Sequence, residues 1–133
     1  MIATEINYEK IYENLGYLFY AIAASDEKVR PEEIQKLKTV VAKEWLPLED
    51  SIDKYGTDAA HYISIAFDYL LNEGTSPDDA FTVFSDYYQL HSAAFSKDLK
   101  RKISKTASAI ADSFAHRNKN EQKFITKLQH LIR

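Results

Sequence analysis

The stretch Ala21-Ile-Ala-Ala-Ser-Asp-Glu-Lys-Val-Arg-Pro-Glu-Glu33 joins two amphipathic segments, and its reading decides the fold. Upstream, Ile11, Leu15, Leu18 and Ile22 recur at spacings of 4, 3 and 4, one apolar stripe of a helix. Downstream, Ile34, Leu37, Val41 and Trp45 recur at 3, 4 and 4. Pro31 suits a first helical position, where a missing N–H costs nothing. Glu32 and Glu33 then fall in a first turn, where the helix dipole favours negative charge. Asp26 lies near the end of the preceding helix, so the turn brings three carboxylates within reach of one another.

The connector repeats near the other end of the chain. An offset of 88 places Ala21, Ile22, Ala23, Ser25 and Glu33 on Ala109, Ile110, Ala111, Ser113 and Glu121. Leu37 against Ile125 and Val40 against Leu128 keep the apolar phase beyond the connector. This reads as two helix–connector–helix units.

The remaining segments also read as helices. The first runs from about Tyr8 to Ser25, with Tyr12, Phe19 and Ala23 broadening its apolar face, and is expected at the centre of the core. Pro47 ends the second, and residues 48–56 form an irregular acidic link. Thr57 is a good N-cap for a third helix with stripe Ala59, Ile63, Ala66, Phe67 and Leu70. Gly74 stops it as a left-handed terminal residue. Ser76, Pro77, Asp78 and Asp79 spell the start of a fourth, with Phe81, Phe84, Tyr88 and Phe95 on one side. Ser96 either caps a fifth or marks a kink in a nearly continuous helix, and the stripe beyond it is Ile103, Ala107, Ile110 and Phe114. Asn118 and Glu121 resemble a capping box for a sixth, which carries Phe124, Ile125, Leu128 and Leu131. Nothing reads as a strand. The expected architecture is all-α, a single-domain bundle of about six helices over residues 1–133, built from two pseudo-symmetric units.

Composition narrows the classes. At 133 residues the chain can bury a core without staples. It has no cysteine, which excludes disulfides, thiolate nucleophiles and Cys-ligated zinc. No basic leader or long apolar run is present, so a soluble, cytoplasmic protein is expected. Residues 1–96 hold 7 Lys and Arg against 17 Asp and Glu, whereas residues 97–133 hold 10 against 3. Such halves pair within a fold, remain solvated, or leave a basic face for an acidic protein partner.

At Ala21–Glu33 the sequence resembles the tellurite-resistance TerB-like family. Its members carry an Ile-Ala-x-Ala-Asp-Gly run and, seven residues after the Asp, a Glu opening the next helix. Ile22, Ala23, Asp26 and Glu33 match that pattern, and Ile110, Ala111 and Glu121 match it again. The resemblance implies an all-helical fold of pseudo-symmetric halves and a divalent-metal site built from connector acids. Glu27 stands in place of the Gly, Arg30 at a capping position, and Phe114-Ala115 in place of the second Asp-Gly. Phe114 cannot ligate a metal. The candidate ligands are therefore Asp26, Glu32, Glu33 and Glu121, expected to hold calcium or magnesium weakly with help from water. The same acids also serve as ordinary helix-end charges.

Other chemistry has little support. His61, His91, His116 and His130 form no spaced ligand pair, and there is neither a nucleophile elbow nor a glycine-rich phosphate loop. Catalysis is not expected. Lys97, Arg101 and Lys105 fall at i, i+4 and i+8 and make one positive face, but the acidic remainder repels nucleic acid. Tyr8, Tyr12, Tyr17 and Tyr20 almost encircle the first helix, so some pack in the core while others meet water or a protein partner. The functional expectation is a non-catalytic interaction or stress-response module. The alternative is a metal-free scaffold using its basic helix to bind an acidic partner.

Overall fold

The computed structural model describes residues 8–26, 31–45, 59–113 and 119–132. Within them are six α-helices and no strand: α1 Tyr8–Ala23, α2 Pro31–Trp45, α3 Ala59–Glu73, α4 Pro77–His91, α5 Lys97–Ser113 and α6 Lys119–Ile132. The all-α bundle expected from periodicity is the observed fold. The link at 48–56, the cap at Thr57, and Phe114, His116 and Asn118 lie outside the described residues.

Local chemistry sets the boundaries. At its end α1 tightens into a 3₁₀ turn, Ala24–Asp26, where the buried Ser25 hydroxyl donates to the Ile22 carbonyl at 2.8 Å. That bond satisfies a terminal acceptor the helix leaves open. Gly74 terminates α3 with φ of 66°, a conformation that glycine adopts without steric cost. The Ser76 Oγ accepts from the Asp79 amide at 3.1 Å, with Pro77 next in the helix. Between α4 and α5 the chain makes a 3₁₀ turn, Ser92–Ala94, and is extended at Phe95. Ser96 then caps α5 by accepting from Leu99 N–H at 3.1 Å.

Packing arranges these helices in two layers. α1 lies between α3 and α4 and makes its most extensive contacts with them. Beneath it, α5 packs on α1 and is flanked by α2 and α6. α1 is central because so little of it is wet: Ile11, Leu15, Leu18, Phe19, Ala21 and Ile22 are fully buried. Gly16 lets α1 approach α3, since a methyl group there would come within 2.4 Å of Ala66 Cβ and 3.0 Å of the Ile63 carbonyl oxygen. The stripes Ile34–Leu37–Val41–Trp45, Ile63–Ala66–Phe67–Leu70 and Ile103–Ala107–Ile110 are all buried. On α6 the buried set is Phe124, Ile125, Leu128 and Ile132. Leu131 is only partly covered, because four residues after Leu128 the helix returns Ile132 to the core face.

Residues paired by the 88-residue offset share depth at Ile22 and Ile110, Ala23 and Ala111, and Leu37 and Ile125. The pairs Ala21 with Ala109 and Val40 with Leu128 do not, the second member being more exposed in one and the first in the other. α2 stands off α1 by the width of aromatic side chains, with Trp45 set against Tyr12 at 6.3 Å and Phe19 at 6.4 Å between ring centroids.

Candidate protein-docking face

The outer surface of the α3–α1–α4 layer is built on one ridge. Burial leaves α1 only a narrow outward strip, Glu9, Glu13 and Tyr17, one turn apart, with Lys10 beside it. Tyr20 continues the ridge; its ring is buried, and its hydroxyl donates to the Thr75 carbonyl at 3.0 Å, bracing the turn between α3 and α4. From α3, the Tyr62 hydroxyl donates to Glu9 Oε2 at 2.9 Å. Lys10 Nζ pairs with Glu13 Oε1 at 3.6 Å.

Three tyrosines crowd the middle of this surface. Burial pushes the Tyr17 hydroxyl above the usual phenol range, and the neighbouring Tyr69 and Glu13 add to it. Tyr87 of α4 rises for the same first reason, with Glu13 next. Residues of α1, α3 and α4 thus face one another across the ridge. His91 lies against the Tyr87 ring, 4.4 Å between centroids. Neutral hydroxyls over half-buried rings present both apolar area and hydrogen-bond donors.

Apolar residues border the ridge. Among the described residues the exposed large hydrophobics are Ile65 (49%), Tyr69 (54%), Val83 (42%) and Leu90 (80%). Helical phase puts Ile65 next to Tyr62 and Tyr69, and Val83 and Leu90 next to Tyr87. All four therefore lie on this one side of the layer, two on each flank of α1. Scattered exposed apolar residues are ordinary, but four on one side of a layer beside half-buried tyrosines make a candidate contact surface.

The residues expected to bind an ion are distributed as follows. The turn carrying Asp26 packs on α6, which carries Glu121 in its first turn. Glu32 and Glu33 begin α2, which packs on α3 and α5 instead. The side chains of all four lie outside the described residues. Among the described residues no three His, Asp or Glu side chains gather into a group that would hold a metal ion.

The basic helix is knitted into the fold. Lys102 Nζ donates to the Glu44 carbonyl at 2.7 Å, and Lys105 Nζ meets Glu44 Oε1 at 3.7 Å. Both sit at the C-terminal end of α2, where the helix dipole welcomes a cation. Arg101 pairs with Asp98 on its own helix at 3.2 Å, and Lys100 lies 5.9 Å from the Tyr88 ring centre. Across the bundle, Lys38 bridges to Asp68 at 2.9 Å. An open groove of about 460 Å³ separates α4 from α6, lined by Phe81, Thr82, Ser85, Lys127, His130 and Leu131. Lys127 lies over the Phe81 and Phe124 rings there, at 5.5 and 5.4 Å.

Periodicity alone pointed to the tyrosines of α1 but missed Ile65, Tyr69, Val83 and Leu90. Each falls outside its helix's apolar stripe, and that mismatch was the available signal. No described helix is long and apolar enough to cross a membrane. Compared with known protein families, curated proteins and solved structures, the chain matches none of them.

Proposed function

We propose that this protein is a non-catalytic interaction or stress-response module of the TerB-like kind, whose docking face is the tyrosine-lined outer surface of α3, α1 and α4. The observation that carries this reading is the grouping of Ile65, Tyr69, Val83 and Leu90 around half-buried Tyr17 and Tyr87. Aromatic residues beside an apolar patch supply contact area with little side-chain entropy to lose. The basic face of α5 is the second candidate: it is solvated, but Arg101 already pairs with Asp98 and Lys105 with Glu44, and no exposed large hydrophobic residue among the described ones lies on α5.

Position-specific photocrosslinking in the native host tests it. Benzoylphenylalanine in place of Tyr69 or Leu90 is expected to trap the same discrete protein partner. The same probe in place of Gln35 on α2 or Gln129 on α6 is expected to trap none. Adducts from all four positions, or from none, would overturn the reading.

A weak divalent-ion site made by Asp26, Glu32, Glu33 and Glu121 belongs to the same proposal. It is supported by the packing of the Asp26 turn against the helix that carries Glu121. Loosely built oxygen sites bind in the ~10⁻⁴–10⁻³ M range. Millimolar calcium or magnesium is therefore expected to raise Tm slightly, and Asp26→Ala to remove that increment. An unchanged Tm in the parent protein would leave these acids as helix-end charges.

A further inference from the structure

The charge around the docking face identifies the kind of partner it fits. No Lys or Arg occurs between residues 55 and 96, so the permanently charged side chains of α3 and α4 are all acids, beside the imidazoles of His61 and His91. On α4, Asp79 lies four residues before Val83 and Asp86 four before Leu90, which sets a carboxylate beside each exposed apolar side chain. The ridge of α1 adds Glu9 and Glu13 along the floor. Among the described residues of these three helices the one Lys or Arg is Lys10, which is paired with Glu13, and from the adjoining α2 Lys38 reaches Asp68 of α3. An apolar strip edged by carboxylates and floored by aromatic rings suits apolar groups flanked by ammonium or guanidinium groups. The rings offer cation–π contacts and the carboxylates offer charge-assisted hydrogen bonds.

Shape sets the form of that partner. From Asp79 to Leu90 the exposed side of α4 rises about 16 Å, the length of three helical turns. The exposed strip of α1 lies between the side chains of α3 and α4, which suits a helix laid over α1. A symmetric pairing of two copies through this face would bring two acidic surfaces together and is disfavoured. Nucleic acid and anionic membranes carry the same sign as the face and are repelled.

Resting on the docking face proposed above, we propose that its occupant is a cationic amphipathic helix of a partner protein, about three turns long, with apolar residues on Ile65, Tyr69, Val83 and Leu90 and Lys or Arg on the flanking acids.

Fluorescence anisotropy tests this with a labelled, amidated 14-residue peptide of leucine at i, i+3, i+4 and i+7 and lysine elsewhere. A leucine–glutamate peptide of the same pattern and a scrambled leucine–lysine peptide serve as comparisons. The patterned leucine–lysine peptide alone is expected to bind with defined saturation, and more weakly as salt rises from 50 to 300 mM. Combining Glu9→Gln with Glu13→Gln is expected to weaken it about tenfold or more, as is Leu90→Ser. Asp112→Asn, on α5, is expected to change nothing. These positions are exposed or half-exposed, and circular dichroism checks that each variant keeps its helicity.

Equal binding of the leucine–glutamate or scrambled peptide would overturn the cationic helix. So would binding that survives Glu9→Gln with Glu13→Gln, or a concentration-dependent dimer dispersed by Leu90→Ser, which would make a second copy the occupant. Absence of any peptide binding while Tyr69 and Leu90 still crosslink specifically would sink this inference and leave the docking face standing. Loss of both would remove the two together.

Discussion

Replacing Trp45 by alanine is expected to lower stability by ~3–5 kcal/mol, the usual loss for a buried tryptophan. Trp45 closes the last turn of α2 and is 2% exposed. Its ring fills the space between α2 and α1 against Tyr12 and Phe19, so removing it opens a cavity that rigid neighbours cannot close. Its indole N–H donates to Thr106 Oγ1 at 2.9 Å, and that hydroxyl donates to the Lys102 carbonyl at 2.8 Å. Alanine leaves the buried Thr106 oxygen without its donor, a further penalty. Urea unfolding measures the effect as a midpoint lowered by roughly 1–3 M. Trp45→Phe separates the two causes. It restores most of the volume while still lacking the N–H, so it is expected to recover more than half of the loss. A Trp45→Ala midpoint equal to the parent's would mean that α2 does not depend on this contact.

Much of the fold was legible because its signals are local. Pro31, Gly74, Ser76 and Ser96 act within a few residues of themselves, and each stands where its chemistry placed it. The apolar stripes are also local, and their described members named the core faces of all six helices apart from the exchange of Leu131 for Ile132, the side chains of Ala59 and Phe114 lying outside the described residues. Layering is not local. Helical phase says which side of α1 is apolar, but not that α3 and α4 flank it so fully that Tyr20 is also covered. That enclosure depends on side-chain size at distant positions, Gly16 against Ala66 above all.

The docking face was legible only in part for the same reason. Tyr17 drew notice through the ring of tyrosines on α1. Ile65 and Val83 are ordinary single apolar residues until α1 brings their helices to either side of one ridge. The pairing of α5 with α2 does not follow from opposite charge in the two halves of the chain, because α2 itself carries three Lys against three Glu. Its atomic form, two lysines on the end carbonyl and carboxylate of Glu44, required the layers to be known.

Truncating Ile22 and Ile110 to alanine compares the two ends of the chain at equivalent places. Both side chains are fully buried, near the ends of α1 and α5, and they share an offset of 88 residues. Each substitution is expected to cost ~2–5 kcal/mol. Where in that range each falls depends on how far the surroundings can collapse into the space left behind. α1 is enclosed by α3, α4, α5 and α6, whereas α5 packs on α1, α2 and α6 and keeps a solvated side with Arg101 and Lys105. Helices able to shift relieve a cavity, and a helix with a wet side shifts more easily. Ile22→Ala is therefore expected near the upper end of the range and Ile110→Ala near the lower. Urea midpoints measured with far-ultraviolet circular dichroism order the two. Equal losses would mean that the halves are matched in rigidity as well as in depth, and a larger loss at Ile110 would make α5 the helix around which the bundle is built.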